Sequence, residues 1–115
     1  MIVRRRFRFE SAHHLPEHPG KCKELHGHSY ELVVAVDRAV DGTSGMVMDF
    51  SDLKRLVREE VVEPLDHRLV NDVVSNPTAE LMAKWIWQRL SVRLPGLVEV
   101  ELHETRDCSV VYRGD

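Results

Sequence analysis

Hydrophobic and charged residues alternate at the start of the chain and again a short distance further on. Over residues 2–10, Val3, Phe7 and Phe9 lie on one parity, and Arg4, Arg6 and Arg8 lie on the other. Because successive side chains of a β-strand point to opposite faces, this pattern predicts a half-buried strand. Residues 15–23 are rich in proline, glycine and charge, which predicts a loop. Alternation over residues 25–36 then predicts a second, longer strand.

The middle of the chain has the spacing of helices. Apolar residues recur three or four positions apart over residues 51–62, which predicts an amphipathic helix that Pro64 should end. Asn76 is a plausible cap of a second helix, with Pro77 at its first position. We expect this second helix to end near residue 94.

Two short β-rich runs close the chain, over residues 98–102 and 108–112, and the tight connection between them predicts a hairpin. The element order is therefore strand, strand, helix, helix, strand, strand. This order predicts an α+β fold in one domain over residues 1–115, with a four-stranded antiparallel sheet and both helices on one face. Such a sheet leaves two edges open, and open edges favour pairing with other subunits.

The composition narrows the partners that the protein can have. Hydrophobic residues make up 43% of the chain and charged residues 30%, which is ordinary for a globular domain. The formal net charge of -3 gives no general electrostatic attraction to nucleic acid. No run approaches the roughly 20 apolar residues of a membrane helix, so we expect a cytoplasmic protein that contacts neither nucleic acid nor membrane. In that reducing compartment, Cys22 and Cys108 are expected to be free thiols.

Three histidines are the strongest candidates for chemistry. His26 and His28 lie two residues apart on the second predicted strand, so both imidazoles should point to one face. His13 continues the buried parity of the first strand and is expected to face them. Three histidine ligands with an open fourth position are typical of a catalytic zinc site. Spacing alone does not exclude His14 or His18 as the third ligand.

Cys22 lies four residues before His26, between Lys21 and Lys23. The two positive charges should lower the pKa of the thiol and favour the nucleophilic thiolate. Cys22 can therefore be a base or nucleophile beside the metal. The competing interpretation is that Cys22 completes a ligand set with His26 and His28, which would make the protein a non-catalytic structural zinc module.

Asp66, His67 and Glu104 are the remaining candidates for polar chemistry. Asp66 and His67 adjoin each other in an irregular stretch, where a carboxylate can orient an imidazole and stabilise its charged form. Glu104 follows the apolar parity of the last strand pair, which places a carboxylate on the buried face. A carboxylate there can bind a ligand with paired N–H donors, or it can simply end the strand in contact with water or Arg106.

Five motifs stand out together: Phe9-Glu-Ser-Ala-His13, Cys22-x-x-x-His26-Gly-His28, Gly45-Met-Val-Met-Asp-Phe50, Leu65-Asp-His67 and Glu104-Thr105. Their order and spacing resemble the 6-pyruvoyltetrahydropterin synthase family over nearly the whole chain. The cysteine ahead of His-Gly-His, in so short a chain, is most similar to the bacterial branch, the 6-carboxytetrahydropterin synthases of queuosine biosynthesis.

The resemblance implies a fold and a set of residue roles. The fold is the tunnelling fold (T-fold), in which subunits join edge to edge into a barrel and two rings stack as a homohexamer, a dimer of trimers. The implied cofactor is Zn²⁺, and its ligands are His13, His26 and His28. The implied catalytic residues are the thiol of Cys22 and a proton relay of Asp66 and His67. The implied substrate-binding residues are Glu104, which anchors the pterin ring, and Thr78, which helps to line its pocket.

The resemblance also implies a reaction. A zinc-dependent carbon–oxygen lyase would convert 7,8-dihydroneopterin triphosphate to 6-carboxy-5,6,7,8-tetrahydropterin, with loss of acetaldehyde and triphosphate. The alternative within the family is a 6-pyruvoyltetrahydropterin synthase, which eliminates triphosphate and keeps the side-chain carbons. Both would use the same residues.

Overall fold

The two alternating segments at the start of the chain form the central pair of the sheet. In the computed structural model, which describes residues 1–115, strands β1 (Ile2–His13) and β2 (His26–Asp37) pair antiparallel over their whole length. β1 continues beyond the predicted end at position 10, because the polar residues that follow pair with the start of β2. The apolar alternation stops at position 10, and only the parity of His13 indicated that the strand extends further.

The sheet has five strands and not the expected four. In spatial order they are β3 (Arg68–Leu69), β1, β2, β4 (Leu97–His103) and β5 (Ser109–Tyr112). The predicted hairpin is present as β4 and β5. The additional strand is β3, which pairs parallel with β1 at the outer edge. Two residues are too few to produce a recognisable alternation, so the sequence pattern gave no sign of this strand.

The first helical segment continues through Pro64, contrary to expectation. It begins as α1 (Phe50–Val57), widens into a π-helical turn (Arg58–Val62) and ends as the short α2 (Glu63–Leu65). Proline lacks the N–H that would bind the carbonyl four residues earlier. That carbonyl, on Glu60, instead accepts a hydrogen bond of 3.2 Å from the Arg89 side chain. The wide turn and the arginine together remove the cost that was expected to end the helix.

The last helix, α3 (Ala79–Ser91), begins later than predicted. Its N-cap is Thr78, whose hydroxyl oxygen accepts a hydrogen bond of 3.2 Å from the backbone N–H of Leu81. Asn76 is therefore not the cap, and Pro77 lies outside the helix. The helix also ends at Ser91, before the predicted end near residue 94.

The helices cover one face of the sheet, as predicted. The buried core includes the alternate residues of β2 and the inward faces of the helices, and these fully buried side chains are Tyr30, Leu32, Val34, Val36, Leu53, Met82, Ile86 and Leu90. The opposite face carries ion pairs between strands, such as Arg6 with Glu31 at 2.7 Å. None of the helices is long and apolar enough to cross a membrane.

A substitution at Gly96, which precedes β4, would test how tightly the loop after α3 is packed. Its φ is +86°, and an added Cβ would lie 2.7 Å from the carbonyl oxygen of Asp37. We therefore expect Gly96→Ala to lower the free energy of unfolding by about 1–3 kcal/mol, since both the backbone conformation and the contact disfavour a side chain. Gly42→Ala is the matched control, because an added Cβ there meets no atom within 4 Å. Equal losses in chemical denaturation of the two variants would contradict this explanation.

Candidate functional site

The β1–β2 register brings three histidines together on the face that the helices cover. His13 lies opposite His26, and Ser11 lies opposite His28. One ring nitrogen of each histidine lies within 4.8 Å of the other two. The Nε2 atoms of His13 and His26 are 3.0 Å apart. Nitrogens at such separations can all reach one ion at about 2.0–2.1 Å after small side-chain movements.

Hydrogen bonds orient two of these imidazoles towards a common centre. The Nδ1 of His13 lies 2.9 Å from the carbonyl oxygen of Pro77, and the Nδ1 of His26 lies 2.7 Å from that of Glu24. Because a carbonyl only accepts, each Nδ1 carries the proton and each Nε2 is left with a free lone pair. Sequence reasoning missed these two carbonyls, since every residue has one.

The third imidazole has an unpartnered buried nitrogen. The Nε2 of His28 is shielded from solvent and has no hydrogen-bond partner. A buried polar atom without a partner costs roughly 1–3 kcal/mol, and a coordinated cation would remove that cost. The histidine set therefore fits a metal ion of the zinc type, which favours nitrogen ligands and tetrahedral geometry.

Burial keeps His13 and His28 in the form that binds a metal. Desolvation lowers the pKa of His13 below the ordinary value of 6.5, and the neighbouring histidines lower it further. Desolvation is also the largest cause that lowers the pKa of His28. The phenol of Tyr30 lies 3.2 Å from the Nδ1 of His13, and burial raises its pKa, so it is neutral. Metal binding requires neutral imidazoles, and the site favours them.

Glu104 faces the open side of the three histidines. Its Oε1 lies 3.5 Å from the Nε2 of His13 and 3.7 Å from that of His28. The backbone N–H of Glu104 donates to the carbonyl of Cys108 at 3.1 Å, which holds the carboxylate at the end of β4. The parity of β4 predicted this placement. The carboxylate remains partly exposed, so it can contact a ligand that enters beside the metal site.

Cys22 lies in a short 3₁₀ turn (Lys21–Lys23) that leads into β2. Its carbonyl accepts a hydrogen bond of 2.8 Å from the N–H of Leu15, which closes the loop between β1 and β2. Cys22 is half-buried and lines an open depression together with His26. Its sulfur is not among the atoms that converge on one point, which comprise only the three histidine nitrogens.

Asp66 and His67 are in side-chain contact beside the end of β1. The Nδ1 of His67 lies 3.0 Å from Asp66, whose other oxygen accepts a hydrogen bond of 2.8 Å from the N–H of Glu10. His67 has a positive φ of 57°, and its N–H donates to the carbonyl of Glu10. Its imidazole is largely exposed and borders an open depression of about 480 Å³ that His28 also lines. No hydrogen bond joins this pair to the three histidines within one chain.

Thr78 has a structural role that the sequence did not indicate. Its hydroxyl caps α3, and the residue before it supplies the carbonyl that orients His13. The start of α3 is thereby tied to the histidine cluster, although Thr78 itself makes no hydrogen bond to the three imidazoles.

Comparison with known proteins gives consistent results. The family model described as 6-pyruvoyl tetrahydropterin synthase matches residues 2–115. The chain is 45% identical to a 6-carboxy-5,6,7,8-tetrahydropterin synthase of Synechocystis, over 96% of this chain and 92% of the relative. It is 40% identical to human 6-pyruvoyl tetrahydrobiopterin synthase, over 84% and 72% of the two chains. The structure of Caenorhabditis elegans 6-pyruvoyl tetrahydropterin synthase superposes with a TM-score of 0.91 and 29% identity, covering 100% of this chain and 96% of that one.

The ionisation of Asp66 provides a test of this local geometry. The N–H of Glu10 is the largest cause that lowers the pKa of the Asp66 carboxyl below its ordinary value of 3.8, and His67 adds to it. A lowered pKa means that this group stabilises the fold above the ordinary value, and that the stabilisation is lost as the pH falls through the folded-state pKa. In His67→Ala the Glu10 bond remains, so an NMR titration should still give a lowered pKa. A return to the ordinary value would contradict this assignment.

Proposed function

The chain belongs to the 6-pyruvoyl tetrahydropterin synthase family, and from that premise we propose that it is a zinc-dependent 6-carboxy-5,6,7,8-tetrahydropterin synthase. The proposed reaction is a carbon–oxygen lyase reaction that converts 7,8-dihydroneopterin triphosphate and one water molecule to the 6-carboxy product, acetaldehyde and triphosphate. The observation that carries the proposal is the convergence of three histidines, two of them oriented by backbone carbonyls, on a side that faces Glu104. The 45% identity to a relative of that name supports the choice of product.

The three histidines are the proposed ligands of the zinc ion. His13 and His26 present Nε2 lone pairs because their Nδ1 atoms bind carbonyls, and His28 presents an Nε2 that has no other partner. When bound, zinc supplies Lewis-acid chemistry that makes protons on a coordinated hydroxyl and the adjacent carbon easier to remove.

Glu104 is the proposed anchor for the pterin ring. A carboxylate can accept two parallel N–H bonds, and the pterin edge offers a ring N–H beside an amino group. Because Glu104 is close to the Nε2 atoms of His13 and His28, a ring held there would place its side chain next to the metal. Thr78 is proposed to line the pocket. Its oxygen accepts from Leu81, and its O–H remains free to donate.

Proton transfer is assigned to Cys22 and to the Asp66–His67 pair. Cys22 lies in the 3₁₀ turn four residues before the proposed ligand His26, and its sulfur is the proposed base. Asp66 is held ionised by the N–H of Glu10 and accepts a hydrogen bond from the Nδ1–H of His67. The Nε2 of His67 is then available to accept or return a proton.

The proposed assembly is a homohexamer in the cytoplasm that acts in queuosine biosynthesis. The edge strands β3 and β5 each have one side without a partner strand in a single chain, and pairing between subunits would satisfy them. The likeness to the human relative makes a 6-pyruvoyltetrahydropterin synthase the second candidate. A structural zinc module is the alternative of another class, and it requires Cys22 to bind the metal.

Variants of the two cysteines and of one histidine distinguish a catalytic zinc site from a structural zinc module. Cys22→Ala should retain about one zinc per chain while turnover falls by at least ~100-fold, since a base is lost and the ligands remain. His28→Ala should lose both zinc and turnover. Cys108→Ala is the matched control, because that thiol is exposed and should leave both properties unchanged. Metal analysis and turnover with dihydroneopterin triphosphate measure these outcomes, and zinc loss in Cys22→Ala would favour the structural module.

The product decides between the two candidate enzymes. Incubation with dihydroneopterin triphosphate should release acetaldehyde in step with 6-carboxytetrahydropterin, because the proposed reaction cleaves the substrate side chain. Mass analysis of the pterin and an assay for the aldehyde measure the two products. A pterin that keeps all the side-chain carbons, formed without acetaldehyde, would instead identify a pyruvoyl synthase.

A further inference from the structure

One connecting segment, residues 65–78, holds the end of β1 by a series of hydrogen bonds. The carboxylate of Asp66 accepts from the N–H of Glu10, and the carbonyl of Leu65 accepts from the hydroxyl of Ser11. Further along, the carbonyl of Pro77 accepts from His13. The segment therefore contacts β1 at Glu10 and Ser11, shortly before His13, and also at His13 itself.

Asn71 makes the central contact of this series. Its Oδ1 accepts from the backbone N–H of His14 at 3.0 Å, and its Nδ2 donates to the backbone carbonyl of His14 at 2.9 Å. One side-chain amide thus satisfies both backbone groups of a single residue. In the parallel ladder, β3 pairs with β1 at Ser11 and Ala12, and the chain then turns away into a 3₁₀ turn (Val70–Asp72). Asn71 thus supplies hydrogen bonds to the backbone of His14, beyond the point where the β1–β3 ladder ends.

We call the two hydrogen bonds between Asn71 and His14 the clamp. The clamp is important for the metal site because His13, which precedes His14, is the last residue of β1. Its pairing with His26 is the final pair of the β1–β2 ladder. The end of a strand frays unless it is held, and a ligand there would then sample positions away from the other two histidines. His14 directly follows His13 in the chain. Its two hydrogen bonds to Asn71 therefore fix the backbone on the C-terminal side of His13.

We propose that Asn71 is a positioning residue that holds His13 in the geometry required for metal binding. The inference rests on the proposed zinc site. Asn71 touches neither the ion nor the substrate in this account, and it acts only through the backbone at His14. Groups that orient metal ligands typically change metal affinity by 10–100-fold when they are removed.

Asn71→Ala should therefore weaken zinc binding by roughly 10-fold or more in competition with a chelator. The absorption bands of the Co²⁺-substituted protein should also change, because they report ligand geometry. Amide hydrogen exchange at His14 should become faster, which verifies that the clamp is lost. If Asn71→Ala does not fold, Asn71→Ser has the same expected effects, since a hydroxyl is too short to bind both groups of His14.

A matched control separates positioning from general stability. Asp49→Ala removes the N-cap of α1, whose carboxylate accepts from the N–H of Ser51 at 2.7 Å, and should lower the Tm without changing zinc affinity or the Co²⁺ spectrum. Unchanged zinc affinity in Asn71→Ala, with wild-type protein that binds zinc, overturns the positioning role alone. A wild-type protein that binds no zinc overturns the proposed zinc site and this inference together.

Discussion

The antiparallel register between β1 and β2 is the constraint on which the other features depend. It places His13 opposite His26 and Ser11 opposite His28, so that three imidazoles share one face. A slip of one residue would move every side chain of a strand to the other face. Such a slip would expose Phe9, which stacks on Tyr30 at a ring-centroid distance of 5.1 Å, and would bury arginines in its place. The core therefore enforces the register, and the register assembles the candidate metal centre.

Segments far away in sequence then fix the details that the strands leave open. The start of α3 supplies the Pro77 carbonyl to His13, and the end of β4 supplies the carboxylate of Glu104. The segment between α2 and α3 holds Asp66 and Asn71 against the end of β1. Each of these groups depends on tertiary contacts, so the site forms only when both helices and the hairpin have packed on the central strand pair.

The sequence predicted the parts of this arrangement that follow from periodicity. The alternation over β1 and β2, and the parity of Glu104, correctly indicated which side chains share a face. The pattern failed where a single tertiary contact decides the outcome. The two-residue β3 has no period, and the helical segment passes Pro64 because the side chain of Arg89 binds the carbonyl that proline cannot. The carbonyls that orient His13 and His26, and the amide of Asn71, have no sequence signature because their roles depend on position alone.

The electrostatics of His13 and His28 lower the stability of the fold when no cation is bound. An unpartnered Nε2 is buried on His28, and desolvation lowers the pKa of both His13 and His28, so protonation in this place is unfavourable. Folding with these groups neutral loses stability as the pH falls below their ordinary value of 6.5, because the unfolded chain then binds protons that the folded chain does not. Apolar residues at these positions would pack without that cost. A cation that binds only the folded state would offset this loss of stability, because it supplies the missing partner of the histidine nitrogen. The stabilisation of the fold grows with the logarithm of the cation concentration over Kd.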